Sequence, residues 1–131
     1  MFIGRDRRVH TRYVMPSSYT SIAVRPADSE RFLFEGHAYD VSEGGMRFEI
    51  DEPIPPGSRI AARIDLPGST ALRVVERRPV YVMANVVWIE EDDLDLPGPV
   101  RMACVFRQFV QPGDRDRLLS RLTSGRYSIA A

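Results

Sequence analysis

The chain has 131 residues, with 18 basic and 18 acidic side chains and a formal net charge of zero. That length suits one domain with a core of its own, and the zero balance excludes any argument from bulk charge for a nucleic-acid or membrane partner. The single cysteine, Cys104, excludes an internal disulfide framework and any multi-cysteine zinc motif, and its apolar surroundings suit a buried thiol.

Strand signals come first along the chain. "TSIAV" (20–24) is short and β-branched, and "RFLFEGHAYDVS" (31–42) follows a polar turn. In "MRFEI", Met46, Phe48 and Ile50 share one face, and "RIAARIDL" repeats the alternation through Ile60, Ala62, Ile64 and Leu66. "LRVVERRPVYVMANVVWIE" is too long for one straight strand, and Pro79 marks an edge, bend or bulge in it. Trp88 alternates with Val86 and is expected in the core. "EEDDLDLPGP" reads as a solvated loop and "VRMACVFRQF" (100–109) as the last strand. The period then changes: Leu118, Leu119 and Leu122 fall on one helical face, with Asp114 as N-cap and Gly125 as C-cap. Short antiparallel strands followed by one helix predict an all-β dominated fold, a small six- to seven-stranded antiparallel β-barrel with a C-terminal α-helix.

The N-terminus "MFIGRDRRVHTR" lacks an apolar h-region, and the longest apolar run is far short of the roughly 20 residues a membrane helix needs. A cytoplasmic protein without membrane insertion is expected. Residues 1–12 concentrate charge, with Arg5, Arg7, Arg8 and Arg12 against Asp6. Guanidinium groups bind phosphate in bidentate fashion and match the O6/N7 edge of guanine. The same residues also suit a solvated basic tail. His10, inside this cluster, is either a spacer or a group that tunes binding.

"DVSEGG" (40–45) carries a second set of candidates. Asp40 can accept from the N1–H and N2–H₂ donors of guanine, and Ser42 can bond phosphate. Gly44 and Gly45 allow positive φ and close backbone approach. A hairpin whose Asp and Ser cap local amides is the other reading of these residues.

R-x-x-x-R at Arg8 and Arg12, followed about thirty residues later by D-x-S-x-x-G at Asp40, Ser42 and Gly45, resembles the PilZ family. The resemblance extends over about residues 5–124, through "GSRIAARIDLP", "ANVVWIE" and "MACVFRQF". The family's last strand usually has glycine where Ala103 stands, a change expected to bear on ligand fit rather than on the fold. The resemblance implies a bacterial receptor for cyclic di-GMP; no other cofactor is expected, and the residues show no metal-spaced cluster. It implies that Arg8 and Arg12 contact guanine and phosphate, that Asp40 and Ser42 bind guanine edge or phosphate, and that Gly45 keeps the turn open. Arg7 supplies a further guanidinium, expected to help hold a second, stacked ligand. The implied layout is an arginine-rich segment (1–18), a barrel with its helix (19–125) and a tail (126–131).

On this reading the apolar-poor N-terminal segment closes over the ligand, and the new surface signals to a downstream protein partner still to be identified. A PilZ-like module without nucleotide binding is the alternative. A nucleic-acid polymer is not expected as partner, because the strand exteriors mix Arg with Glu and Asp. Two histidines with no paired nucleophile and no metal spacing argue against an enzyme.

Overall fold

The computed structural model describes residues 10–15, 20–66, 79–90, 99–124 and 127–129. The elements are β1 (Tyr13–Val14), β2 (Ser21–Pro26), β3 (Phe34–Val41), β4 (Gly45–Ile50), β5 (Arg59–Asp65), β6 (Val80–Ile89), β7 (Val100–Phe109) and α1 (Asp114–Leu122). Alternating apolar residues bury one face of every long strand, and the sheet curls until that face is enclosed. Antiparallel pairing runs β2–β3–β4–β7–β6–β5 and returns to β2, which closes a six-stranded barrel. Closure leaves no edge to pair with another chain along most of the ring.

The predicted inward sets are buried as expected: Met46, Phe48 and Ile50 on β4, and Ile60, Ala62 and Ile64 on β5 with Leu66 just beyond it. Leu118 and Leu122 of α1 complete the core, and the helix packs against β6. Asp114 is not the N-cap. Gly113 takes that position in a left-handed conformation (φ 84°), and Asp114 is the first helical residue. Its carboxylate is buried and tied elsewhere, accepting from the backbone N–H of Tyr81 and of Gln111 at 3.1 Å each and pairing with Arg117. The acid thus fastens the helix to β6 instead of capping its free amides. The helix ends at Thr123, whose N–H donates to the Leu119 carbonyl at 2.9 Å; Gly125 lies outside the described residues.

Three bulges interrupt the ladder: one leaves Arg107 extra on β7, between Met83↔Gln108 and Ala84↔Phe106, and the other two lie on β3 and β6. On β3 the register with β4 passes from Ala38↔Phe48 to Asp40↔Arg47, leaving Tyr39 as the extra residue. On β6 the register with β7 passes from Val86↔Cys104 to Trp88↔Ala103, leaving Val87 extra. A bulge puts two successive residues on the same side of the strand. Trp88 is therefore not a core residue. Val86 is buried, but Val87 and Trp88 both face out, at 53% and 44% exposure.

β1 has no counterpart among the predicted strands. It pairs with the end of β3, Tyr13 opposite Val41 and Val14 opposite Asp40. Its other side meets the C-terminal tail, where Val14 N–H donates to the Ser128 carbonyl at 2.7 Å and Tyr13 bridges Ile129. This pairing delivers Arg12, the residue just before β1, to the side of Asp40.

Candidate functional site

The turn between β3 and β4 is built by Ser42. Its N–H donates to the Gly45 carbonyl at 2.8 Å, while its hydroxyl accepts from the N–H groups of Gly44 and Gly45 at 3.1 and 3.2 Å. Ser42 is therefore a cap of local amides, as the hairpin reading has it. Neither Gly44 nor Gly45 needs positive φ; among the described glycines only Gly57 and Gly113 adopt it. What they need is space. A Cβ on Gly45 would lie 2.3 Å from the backbone oxygen of Cys104 on β7, and a Cβ on Gly44 would lie 2.5 Å from the ring of His10.

The Tyr39 bulge decides where Asp40 points. Ala38 and Val41 face the core, so strict alternation after Ala38 would send Asp40 inward too. The extra residue turns it out, beneath the Arg47 side chain. Arg47 Nε and Nη2 both lie 2.6 Å from Asp40 Oδ2. Asp40 is only 2% exposed, and its other oxygen, Oδ1, is buried without a hydrogen-bond partner. Arg12 Nε is likewise buried and unpartnered.

These residues line one groove of about 480 Å³. Arg12, Asp40, Ser42, Gly44 and Gly45 all contribute to it, together with His10 and Arg47. Its floor is apolar, formed by Val87 of the β6 bulge and by Ala103 and Val105 of β7. Five of the seven predicted site residues are thus brought together. Arg7 and Arg8 lie outside the described residues, as do residues 1–9 and 16–18 of the segment expected to close over the ligand. Arg47 and the apolar floor belong to the groove although neither motif points to them.

Glu43, an unspecified position inside the second motif, links the turn outward. Its carboxylate pairs with Arg115 of α1 and lies 3.6 Å from His10 Nδ1. Beside the groove, a cleft of about 380 Å³ is lined by Tyr39, Arg47, Trp88, Glu90 and Arg101. Arg101 sits 5.2 Å over the Tyr39 ring, and the Tyr39 hydroxyl donates to Glu49 at 3.4 Å. Burial, reinforced by the Glu49 charge, raises the Tyr39 phenol well above its ordinary range, so it stays a neutral donor.

Cys104, opposite Met46, is a buried member of the groove lining, and burial pushes its thiol up to about 12. The nucleophile is the thiolate, so the folded protein is expected to resist an aromatic disulfide reagent at pH 8. Reaction should appear only on denaturation; prompt labelling of the folded protein would contradict the packing. Among the described residues there is no metal-binding cluster, and no helix is long and apolar enough to cross a membrane.

The sequence matches the PilZ domain family over residues 6–124. Similar solved structures include the Bacillus subtilis inhibitor of motility MotI/DgrA, at 17% identity and TM-score 0.63, covering 92% of this chain and 51% of that one. The PilZ domain of YcgR from Escherichia coli with c-di-GMP is similar at 20% identity and TM-score 0.60, covering 91% of each chain. The K. pneumonia MrkH–c-di-GMP complex is similar at 15% identity and TM-score 0.66, covering 92% of this chain and 52% of that one. The chain thus spans about half the length of the MotI/DgrA and MrkH chains. A comparison with curated proteins gives no match. These identities speak to the fold, which they place with the barrels just described, and the match to the family covers nearly all of the chain: it belongs to the PilZ domain family.

Proposed function

We propose that this chain is a cyclic di-GMP receptor whose ligand lies in the groove between Arg12 and Asp40. The observation that carries the proposal is a buried donor, Arg12 Nε, and a buried acceptor, Asp40 Oδ1, both without partners and both on residues that line one groove. Buried polar groups are nearly always paired, so two orphans of opposite sense in one cleft call for a polar guest. Guanine presents N1–H and N2–H₂ to Asp40, and its flat face suits the floor of Val87, Ala103 and Val105. Arg12 and Arg8 hold phosphate and the O6/N7 edge, and Arg7 contributes to a second, stacked molecule. Ser42, Gly44 and Gly45 form the wall, with the Ser42 hydroxyl divided between the turn and the ligand.

The role is binding, without catalysis, in the bacterial cytoplasm. Two arginines of the N-terminal segment are drawn onto the ligand, and the changed surface is read by a downstream protein partner. The contacts of Glu43 with His10 and Arg115 offer a route from the groove to α1.

A ligand that binds only the native state stabilises it by about 2.7 kcal/mol at one hundred times Kd. For a domain of this size the melting temperature should rise by on the order of 10 °C. Thermal unfolding with cyclic di-GMP, and with GTP as control, checks this. Equal, unshifted melting in both would move the chain to a PilZ-like interaction module.

A further inference from the structure

Arg47 belongs to neither motif, yet it is the residue that disposes of Asp40. Two of its nitrogens converge on a single oxygen, Oδ2, at 2.6 Å. That contact exists because the Tyr39 bulge shifts the register by one and sets Asp40 opposite Arg47. The carboxylate is consequently fixed in rotation, with Oδ2 engaged by Arg47 and Oδ1, on a residue that lines the groove, left as the acceptor without a partner. The two side chains form an ion pair, and an anionic oxygen accepts hydrogen bonds but cannot donate them.

We propose that Arg47 is the positioning residue that gives the groove its selectivity for guanine, an inference that rests on the receptor reading above. Guanine offers donors where adenine offers the N1 acceptor. A locked carboxylate oxygen pairs with the first and repels the second. Without Arg47, Asp40 is a nearly buried carboxylate that has lost its partner across the ladder, and it rotates freely or turns toward solvent. Either change removes the fixed acceptor. Phosphate and stacking contacts, which the two cyclic dinucleotides share, are untouched.

The test is calorimetric titration of cyclic di-GMP and cyclic di-AMP into the wild type, Arg47→Met, Arg47→Lys and Asp40→Ala, with Arg47→Met also made in the Asp40→Ala background. The wild type should favour the guanine ligand strongly. Arg47→Met should lose at least about tenfold in cyclic di-GMP affinity with little change for cyclic di-AMP, because sites built around a hydrogen bond discriminate steeply against its absence. Arg47→Lys should fall between, since an ammonium neutralises the acid but lacks the planar fork that fixes its rotation. In the Asp40→Ala background Arg47→Met should add nothing, as expected of a residue acting through Asp40.

Equal losses for both ligands, or a further loss in the Asp40→Ala background, would make Arg47 a direct phosphate contact and overturn the proposal. Unchanged selectivity in Arg47→Met would do the same. If that variant fails to fold, the guanine-to-adenine ratio of Arg47→Lys decides between the two roles. A folded wild type that ignores cyclic di-GMP sinks the receptor reading itself, whereas a wild type that binds and a selective Arg47→Met sinks only the role of Arg47.

Discussion

Replacing Arg8 and Arg12 together with alanine should reduce cyclic di-GMP affinity by at least a hundredfold while leaving the barrel folded. Hydrogen bonds to charged groups contribute about 1.5–3 kcal/mol each, so losing one from each arginine removes about 3–6 kcal/mol. A micromolar complex is held by only about 8 kcal/mol in total, and binding would fall to the edge of detection. Arg12 precedes β1, and the β1–β3 pairing at Tyr13 and Val14 rests on backbone groups, so it should survive. Calorimetry checks the affinity and a thermal melt checks the fold. Retention of affinity within about threefold would place the ligand elsewhere, since it is less than the loss of even one such hydrogen bond.

Gly45→Val should damage the protein more deeply, through the fold. The new Cβ would stand 2.3 Å from the Cys104 carbonyl, a backbone atom that cannot swing aside. β4 and β7 would have to separate at the Gly45↔Val105 and Met46↔Cys104 pairs. Overpacking with lost ladder bonds belongs to the severe class of substitutions, on the order of 3 kcal/mol or more. That is a large share of the roughly 5–15 kcal/mol that holds a domain together. Gly44→Ala is the control. Its obstruction is the His10 ring, a side chain at the surface, so a change of rotamer relieves it. Chemical denaturation of both variants should show a marked loss for Gly45→Val and a small one for Gly44→Ala. Equal midpoints would mean that the glycine serves the ligand alone.

The contrast between these glycines illustrates what is legible in a sequence of this kind. The inward faces of β4 and β5 follow from alternation alone, because Met46, Phe48, Ile50, Ile60 and Ile64 obey the two-residue period. The two motifs are visible because they are short and local, and Arg12, Asp40, Ser42, Gly44 and Gly45 do meet in one groove. The bulges carry no comparable signal. Nothing in "HAYDV" or "NVVWI" announces an extra residue, since a bulge is decided by pairing with a strand distant in sequence. That is why alternation places Trp88 inside while the folded chain holds it outside. It is also why the motif singles out Asp40 without Arg47, its partner across the ladder. Gly45 reads as a turn glycine because its real constraint, the Cys104 carbonyl, sits on a strand far along the chain. Asp114 reads as a cap from its helical neighbours, yet its carboxylate answers to Tyr81 on β6.

The most direct test of the receptor reading is isothermal titration of cyclic di-GMP into the wild-type protein, with GTP as a control. The groove with its unpartnered Arg12 Nε and Asp40 Oδ1 predicts saturable binding at low-micromolar affinity or better, no binding of GTP, and two ligands per chain if Arg7 helps hold a stacked pair. A folded protein that releases no heat with cyclic di-GMP over a range of temperatures would contradict that reading and leave a PilZ barrel whose groove serves another purpose.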